Sequence, residues 1–218
     1  MPVKLLIFDL DGTLVDTCGD ITNALNYALN NYGMEGLTVE STKQLVGEGL
    51  TRLVEKVLGA EKDRLRDDVM GRFLAYYSEH LADYSVAYPY VRETLEALGG
   101  YRKAVISNKR ESLSARLLDM LDLRKYFDLV VGSDTTPEKK PSPVPVIYVL
   151  KTLEVSAPDA MMVGDSDYDI EAARKAGVKT IAVTYGYRGR ESLRAADFIV
   201  DSFGDIPSVL DITSFKLI

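Results

Sequence analysis

The chain has 218 residues, of which 46% are hydrophobic and 27% are charged, a balance typical of a folded globular protein rather than a disordered one. Its net charge of -7 opposes binding to nucleic acid or to an anionic membrane, because both of these partners are negatively charged. The single cysteine, Cys18, excludes an intramolecular disulfide and a cysteine cluster for zinc, so we expect a reducing, cytoplasmic compartment.

The first apolar segment, residues 3–8, has the length of a buried strand. Asp9 and Asp11 end it too early for a signal peptide or a membrane span. Similar short runs follow, separated by segments of helix length, and they lie at residues 104–106, 129–131, 161–163, 180–183 and 198–200. This alternation predicts an α/β fold of the doubly wound class, in which helices cover both faces of a parallel sheet.

A long stretch between the first two strands, residues 16–85, contains no convincing strand and is too long for a loop. Apolar residues recur there at helical spacing in four segments, 20–32, 38–45, 50–58 and 63–81. The pattern predicts a helical cap, or lid, inserted after the first strand. Residues 1–15 and 86–218 then form the α/β catalytic core, with hinges near Asp16 and Ser85.

Two pairs of aspartates follow predicted strands. Asp9 and Asp11 come directly after the first strand, and Asp165 and Asp169 follow a later one, about one turn apart if a helix begins near Ser166. Because the carboxyl ends of parallel strands meet at one edge of a sheet, we expect the two pairs to converge. Four carboxylates at one edge need counter-ions, most simply a divalent cation together with one or two lysines.

The aspartates at 165, 167 and 169 also have the alternation with which an EF-hand calcium loop begins. That loop requires glycine at its sixth position and glutamate at its twelfth, where this chain has Ile170 and Ala176. A calcium loop is therefore not expected.

Four motifs occur in an order that resembles the haloacid dehalogenase superfamily of phosphotransferases. They are Asp9-Leu-Asp-Gly-Thr, Ser107-Asn-Lys, Lys140-Pro-Ser-Pro and Gly164-Asp-Ser-Asp-Tyr-Asp. Within that superfamily the chain looks most like the phosphoglycolate phosphatase group. This narrower resemblance rests on the helical insertion, on the glycine-rich turn at residues 47–49 and on the segment at residues 184–187.

The resemblance implies a catalytic role for four residues. Asp9 would be the nucleophile, and Asp11 would protonate the leaving oxygen and then activate water. Ser107 would donate a hydrogen bond to a phosphoryl oxygen, and Lys140 would neutralise charge on Asp9 and on the transferring group. The neighbouring Lys139 is interpreted as a solvated side chain, because only Lys140 directly precedes proline.

The same resemblance implies a magnesium site. Asp9, the backbone carbonyl of Asp11, and Asp165 would hold Mg²⁺, while Asp169 would orient a metal-bound water or Lys140 from outside the ligand set.

Five further residues are expected to bind the phosphate or the rest of the substrate. Gly12 and Thr13 form a turn whose backbone N–H groups can receive a phosphate. Asn108 belongs to the second motif, and Gly49 and Arg52 lie where the phosphoglycolate phosphatase group places substrate contacts. The guanidinium of Arg52 would pair with a substrate carboxylate.

These expectations favour a Mg²⁺-dependent phosphatase for a small phosphorylated metabolite, with phosphoglycolate as the first choice. An acid at Asp11 favours ester hydrolysis over dehalogenation, because a halide leaves without a proton whereas an alkoxide does not. A sugar phosphomutase on the same fold, a pyrophosphatase and a non-catalytic phosphate-binding module remain alternatives, and the protein is expected to be a monomer or a homodimer.

Overall fold

The structure is a computed structural model that describes residues 3–215, apart from the side chains of residues 61–63 and 212–215. In this part of the chain the strands are β1 (Leu5–Phe8), β2 (Val15–Asp16), β3 (Val86–Ala87), β4 (Arg102–Ile106), β5 (Leu129–Val131), β6 (Ala160–Gly164), β7 (Lys179–Val183) and β8 (Phe198–Val200). The α-helices are α1 (Cys18–Asn30), α2 (Val39–Leu45), α3 (Leu50–Leu58), α4 (Arg66–Glu79), α5 (Val91–Ala97), α6 (Glu111–Met120), α7 (Val144–Thr152), α8 (Asp167–Lys175) and α9 (Ile206–Phe215).

Six strands form one parallel sheet in the order β5-β4-β1-β6-β7-β8. The predicted α/β class with a parallel sheet is therefore confirmed. The first strand lies in the middle, where β1 pairs with β4 on one side and with β6 on the other. The loops that follow these three adjacent strands consequently meet at the same edge of the sheet.

The sheet has a hydrophobic core on each face, because successive side chains of a strand point to opposite sides. Leu6 and Phe8 of β1 belong to a cluster that includes apolar residues of α5, α6 and α9. Leu5 and Ile7 belong to a second cluster that includes residues of α7 and α8. All four β1 side chains are fully buried, which explains why the sequence of this strand is a continuous apolar run.

The helices α1 to α4 lie between β2 and β3, in the segment predicted to be helical. Strands β2 and β3 pair with each other as a short antiparallel ribbon, in which Val15 faces Ala87 and Asp16 faces Val86. The chain therefore leaves and re-enters the α/β part side by side. The division into a core and a cap stays a prediction, and residues 1, 2 and 216–218 of the predicted core lie outside the described residues.

The helices of the described part of the chain are short, and α4 is the longest of them with 14 residues. A helix needs about 20 apolar residues to cross a bilayer. Across residues 3–215, no helix has the length and apolar character that a membrane span requires.

A buried carboxylate ties the exit of the helical segment to its entry. Asp20, in the first turn of α1, is only 1% exposed. Its carboxylate accepts hydrogen bonds from the backbone N–H groups of Tyr84 and Ser85 and from the Ser85 hydroxyl at 2.6–3.1 Å. The segment between α4 and β3 and the start of α1 are thus held together just outside the β2–β3 ribbon.

Replacing this carboxylate is expected to destabilise the protein. Asp20→Ala leaves the buried donors of Tyr84 and Ser85 without acceptors, and should lower the free energy of unfolding by about 2–4 kcal/mol in urea denaturation. Asp67→Ala is the control, because the Asp67 side chain is 91% exposed, and it should change stability by less than about 0.5 kcal/mol. Equal effects of the two substitutions would contradict this role of Asp20.

Candidate active site

The predicted site residues come from loops that follow adjacent strands. Asp9 follows β1, Ser107 follows β4 and Asp165 follows β6, while Lys140 lies in the loop before α7. The convergence of these side chains at one edge of the sheet results from the strand order β4-β1-β6. All four are buried and at most 8% exposed.

Lys140 lies at the centre of this cluster. Its Nζ donates to Asp9 Oδ1 at 2.7 Å, to Asp169 Oδ1 at 2.6 Å and to the Ile106 carbonyl at 2.9 Å. Burial opposes the charged form of the lysine, but the carboxylates of Asp169 and Asp9 outweigh burial and raise its pKa. Burial also raises the pKa of Asp9 well above its usual value, against the charge of Lys140.

Asp169 is held by its own helix as well as by Lys140. Its Oδ2 accepts from the Ser166 backbone N–H at 3.1 Å and from the Ser166 hydroxyl at 2.6 Å. The bond from the Ser166 backbone N–H is part of a capping box at the start of α8. Both carboxylate oxygens of Asp169 are therefore engaged in hydrogen bonds. This fixes the carboxylate in place, so that it can orient Lys140.

Asp165 differs from Asp9 because its hydrogen bonds come from neutral groups. Its Oδ2 accepts from the Tyr187 backbone N–H at 2.7 Å, and the Thr13 hydroxyl approaches Oδ1 at 3.4 Å. Burial and the nearby charge of Asp169 raise its pKa to about 7. Gly186 packs directly on this carboxylate, because a Cβ at that position would lie 2.3 Å from the Asp165 Cβ.

The carboxylates fit a divalent cation. One oxygen from each of Asp9, Asp165 and Asp169 lies within 4.8 Å of the other two, and all three residues are buried. Only one ammonium group, that of Lys140, bonds directly to this set among the described residues. The cluster is therefore left with excess negative charge, and hard carboxylate oxygens of this kind are the ligands that Mg²⁺ prefers.

Asp11 lies beside this cluster with partners of its own. Its Oδ1 accepts from the Thr17 hydroxyl at 2.6 Å and from Lys109 Nζ at 2.5 Å, and its Oδ2 lies 3.4 Å from the Ser107 hydroxyl. Lys109 was given no role by the sequence analysis, although it is the third residue of the Ser107-Asn-Lys motif. Its position after a strand end is the only sequence signal that marks it.

The residues predicted to bind phosphate or substrate have different surroundings. The backbone N–H of Gly12 donates to the Val15 carbonyl at 2.9 Å, and that of Thr13 approaches the Leu10 carbonyl at 3.4 Å. These N–H groups close the turn after β1 and do not point to a ligand. The Thr13 side chain instead contacts Asp165.

Arg52 also lies away from the other site residues. Its guanidinium pairs with Glu55 at 2.8 Å and with Glu48 at 3.7 Å, and its side chain is 59% exposed. It does not line the cavity above Asp9. The structure therefore does not support the predicted contact with a substrate carboxylate, because two cap glutamates hold the guanidinium on the surface.

The turn at residues 47–49 packs against the strand-end loops of the core. Asn108 Nδ2 donates to the Gly47 carbonyl at 2.8 Å, and Lys139 Nζ donates to the Glu48 carbonyl at 2.7 Å. Gly49 has a φ of 81° and approaches so closely that a Cβ there would lie 2.9 Å from the Asn108 carbonyl. The interpretation of Lys139 as a solvated side chain is wrong, because it binds the cap backbone.

Arg188, which follows β7, completes this contact between the cap and the core. Its guanidinium donates to the Lys43 carbonyl at 2.9 Å and also to the Val46 carbonyl. Three consecutive cap carbonyls, at residues 46, 47 and 48, thus each accept from a different core side chain. We call this set of contacts, made by Arg188, Asn108 and Lys139, the carbonyl clasp.

A cavity lies between the strand ends and the cap helices. On the core side it is lined by charged residues that include Asp9, Asp11, Asp165, Lys109, Lys140 and Arg188. On the cap side its lining includes Ile21, Leu53, Met70, Phe73, Leu74 and Tyr77. Among the described residues that line it, none that comes from the helical segment is charged. The cavity therefore combines a polar floor with an apolar roof.

This chain matches known proteins over most of its length. Residues 6–183 match the family described as haloacid dehalogenase-like hydrolase. The chain belongs to this family. The expected membership in the haloacid dehalogenase superfamily is thus confirmed.

Individual relatives agree with this assignment. The chain is 41% identical over 211 residues to a phosphoglycolate phosphatase of Aquifex aeolicus, covering 96% of this chain and 97% of the relative. It is 39% identical to a phosphoglycolate phosphatase of Chromobacterium violaceum, covering 94% and 95%. The crystal structure of a predicted phosphoglycolate phosphatase from Haemophilus somnus has a TM-score of 0.89 and 32% identity, covering 95% and 97%. These relatives confirm that the chain is an enzyme of the phosphoric monoester hydrolase class.

The carbonyl clasp generates a prediction about cap motion. Arg188→Ala removes two charge-assisted hydrogen bonds, so backbone amides in residues 43–50 should exchange hydrogen about ten times faster when followed by mass spectrometry. Arg190→Ala is the matched control, because Arg190 is 63% exposed and pairs with an exposed Asp201, and it should leave this exchange unchanged. Unchanged exchange in both variants would mean that Arg188 does not hold the cap.

Proposed function

We propose that this enzyme is a Mg²⁺-dependent phosphatase that hydrolyses a small phosphate monoester, phosphoglycolate first among them, through an aspartyl-phosphate on Asp9. The observation that carries the proposal is the position of the Asp9 carboxylate. It lies in the cavity, bonded to Lys140 at 2.7 Å, next to a second carboxylate at Asp165 and near an acid candidate at Asp11. The proposed nucleophile, the carboxylate proposed to bind the metal and the proposed proton donor thus line the same cavity.

The metal ligands in this proposal are the carboxylates of Asp9 and Asp165 and the backbone carbonyl of Asp11. Asp169 stays outside the ligand set, because Lys140 and Ser166 occupy its two oxygens. When bound, Mg²⁺ supplies positive charge to a phosphoryl oxygen and to the carboxylates that hold it.

In the first step, the Asp9 carboxylate attacks phosphorus and a new bond forms between its oxygen and the phosphorus atom. The bond between phosphorus and the leaving oxygen breaks, and its electron pair goes to that oxygen. Asp11 donates a proton to the leaving oxygen, so that the product departs as an alcohol. Lys140 and the Ser107 hydroxyl stabilise the charge on the transferring group.

In the second step, a water molecule attacks phosphorus while Asp11, now ionised, accepts its proton. The bond between phosphorus and the Asp9 oxygen breaks, and its electron pair returns to the Asp9 carboxylate. Inorganic phosphate leaves, Asp11 is again protonated and the enzyme is regenerated. The burial of the site under the cap limits the access of bulk water to this intermediate.

Phosphoglycolate is the favoured substrate for two reasons. The relatives named above are called phosphoglycolate phosphatases and cover nearly the whole chain. The compound is also small and carries a carboxylate besides its phosphate, and the core side of the cavity is lined by several basic residues. The cytoplasm is the proposed compartment, in keeping with the single cysteine.

The first test is phosphate release from phosphoglycolate with and without Mg²⁺. We expect release to require Mg²⁺ and to fall by a factor on the order of 10³ or more in Asp9→Asn, because the amide is a far weaker nucleophile than the carboxylate. Asp167→Asn is the matched control, since this exposed aspartate lies only two residues from Asp165, and it should retain activity.

The alternatives predict other results in the same assay. Full activity of Asp9→Asn would contradict the aspartyl-phosphate. Conversion of a sugar phosphate to its isomer without free phosphate would indicate a phosphomutase, and a clear preference for pyrophosphate would indicate a pyrophosphatase.

A second test concerns the acid role of Asp11. Asp11→Asn should slow phosphoglycolate hydrolysis by about 10²–10⁴, because the leaving alkoxide needs a proton. With p-nitrophenyl phosphate, whose leaving group needs none, we expect a burst of one equivalent of nitrophenolate followed by slow turnover. The burst reports an aspartyl-phosphate that forms but no longer has a base to activate water. Equal slowing of both substrates with no burst would contradict this role.

A further inference from the structure

We propose that Lys109 determines substrate specificity by binding a carboxylate attached one carbon away from the leaving oxygen. This inference rests on the proposed phosphatase function and identifies the substrate class as short 2-phosphoryloxy carboxylates. A core lysine, rather than Arg52 of the cap, then makes the predicted contact with the substrate carboxylate.

The first argument is the distribution of charge around the cavity. Among the described residues that line it, the helical segment contributes no charged side chain, and Arg52 lies on the surface with Glu48 and Glu55. A substrate carboxylate that enters the cavity must have a cationic partner, because an unpaired buried charge is strongly unfavourable. That partner must therefore come from the core.

The second argument is that most of the core cations already have other partners and are not available to a substrate carboxylate. Lys140 is held between Asp9 and Asp169 at the nucleophile. Lys139 and Arg188 donate to cap carbonyls in the carbonyl clasp. Two cations remain among the described lining residues, the exposed Arg110 and Lys109, whose partner is the proposed acid Asp11.

The third argument is the position of Lys109 next to the acid. Its side chain is 8% exposed, and its Nζ bonds to Asp11 Oδ1 at 2.5 Å, while Asp11 Oδ2 faces Ser107. If Asp11 protonates the leaving oxygen, that oxygen lies directly beside the Lys109 ammonium group. A carboxylate separated from the leaving oxygen by one carbon then falls within hydrogen-bond reach of Nζ.

The fourth argument limits the size of the leaving group. The Lys109 ammonium also lies 5.3 Å from the centre of the Tyr77 ring, whose side chain is buried in the cap. Phe73 and Leu74 of the same helix line the roof next to this ring. The apolar side chains of Phe73 and Leu74 disfavour a longer polar chain in this part of the cavity, because its polar groups would lose water without gaining partners.

The test compares two substrates of similar size that differ in the carboxylate. These are phosphoglycolate and 2-hydroxyethyl phosphate, and kcat and KM are measured for each. We expect the unmodified enzyme to prefer phosphoglycolate in kcat/KM by about ten- to hundredfold, as a charge-assisted hydrogen bond predicts. Lys109→Met should abolish this preference, mainly by raising the KM for phosphoglycolate. The activity of this variant on 2-hydroxyethyl phosphate reports any separate effect of the substitution on Asp11.

Two control variants locate the effect. Arg110→Met tests the other cation of the cavity, and Lys175→Met removes a half-exposed lysine that pairs with Glu171 on the surface of α8. Both should keep the preference. Loss of the preference in Arg110→Met, but not in Lys109→Met, would overturn the proposal.

Other results would also overturn it. These are an unmodified enzyme without preference, or a Lys109→Met variant in which both substrates lose equally. If that variant turns over neither compound, the affinities for both compounds are measured by calorimetry. An equal loss of affinity for both would likewise overturn the proposal. Hydrolysis of neither compound by the unmodified enzyme would instead contradict the proposed function.

Discussion

Lys140 lies buried between two carboxylates, and the geometry of the whole site follows from the need to keep its ammonium group paired. Its three acceptors come from the loop after β1, the end of β4 and the first turn of α8. A buried charge that loses its partner is costly, so these three elements must keep their relative positions. The catalytic geometry and the stability of the strand ends are therefore maintained by the same contacts.

Asp169 connects this cluster to the helix that follows it. One of its oxygens pairs with Lys140, and the other closes the capping box with Ser166. The start of α8 is thereby fixed relative to Lys140, and Asp165 lies immediately before this start. The capping box at the start of α8 thus helps to fix the position of Asp165, a proposed metal ligand, relative to Lys140.

The cap contributes backbone carbonyls and apolar side chains to the cavity, whereas the core contributes the charges. The carbonyl clasp joins cationic or polar core side chains to uncharged cap carbonyls. The apolar side chains of the roof are stabilised by the exclusion of water from the cavity wall. In the proposed mechanism the core performs the chemistry, and in the proposed substrate contact it also provides the charge that recognises an acidic leaving group.

The sequence by itself determined the six strands of the parallel sheet, the helical segment and the four motifs, but it did not predict the short strands β2 and β3. The predicted features are encoded locally, by short apolar runs, by helical spacing and by motif residues in loops. The six strands of the parallel sheet agree with the predicted ones to within about two residues. The contact between Asp169 and Lys140 corresponds to one of the two roles that the family resemblance implied for Asp169.

Only the tertiary structure decided which other charged side chains face the cavity. In the sequence, Arg52 follows the glycine-rich turn at residues 47–49, and Lys109 is the last residue of the Ser107-Asn-Lys motif. The fold pairs Arg52 with two glutamates of the cap surface and buries Lys109 against Asp11 and Tyr77. Arg188 and Lys139 likewise found their carbonyl partners in a segment about 90 or more residues away. The physical reason is that long, flexible side chains are directed by their partners, and partners distant in the chain are known only once it has folded.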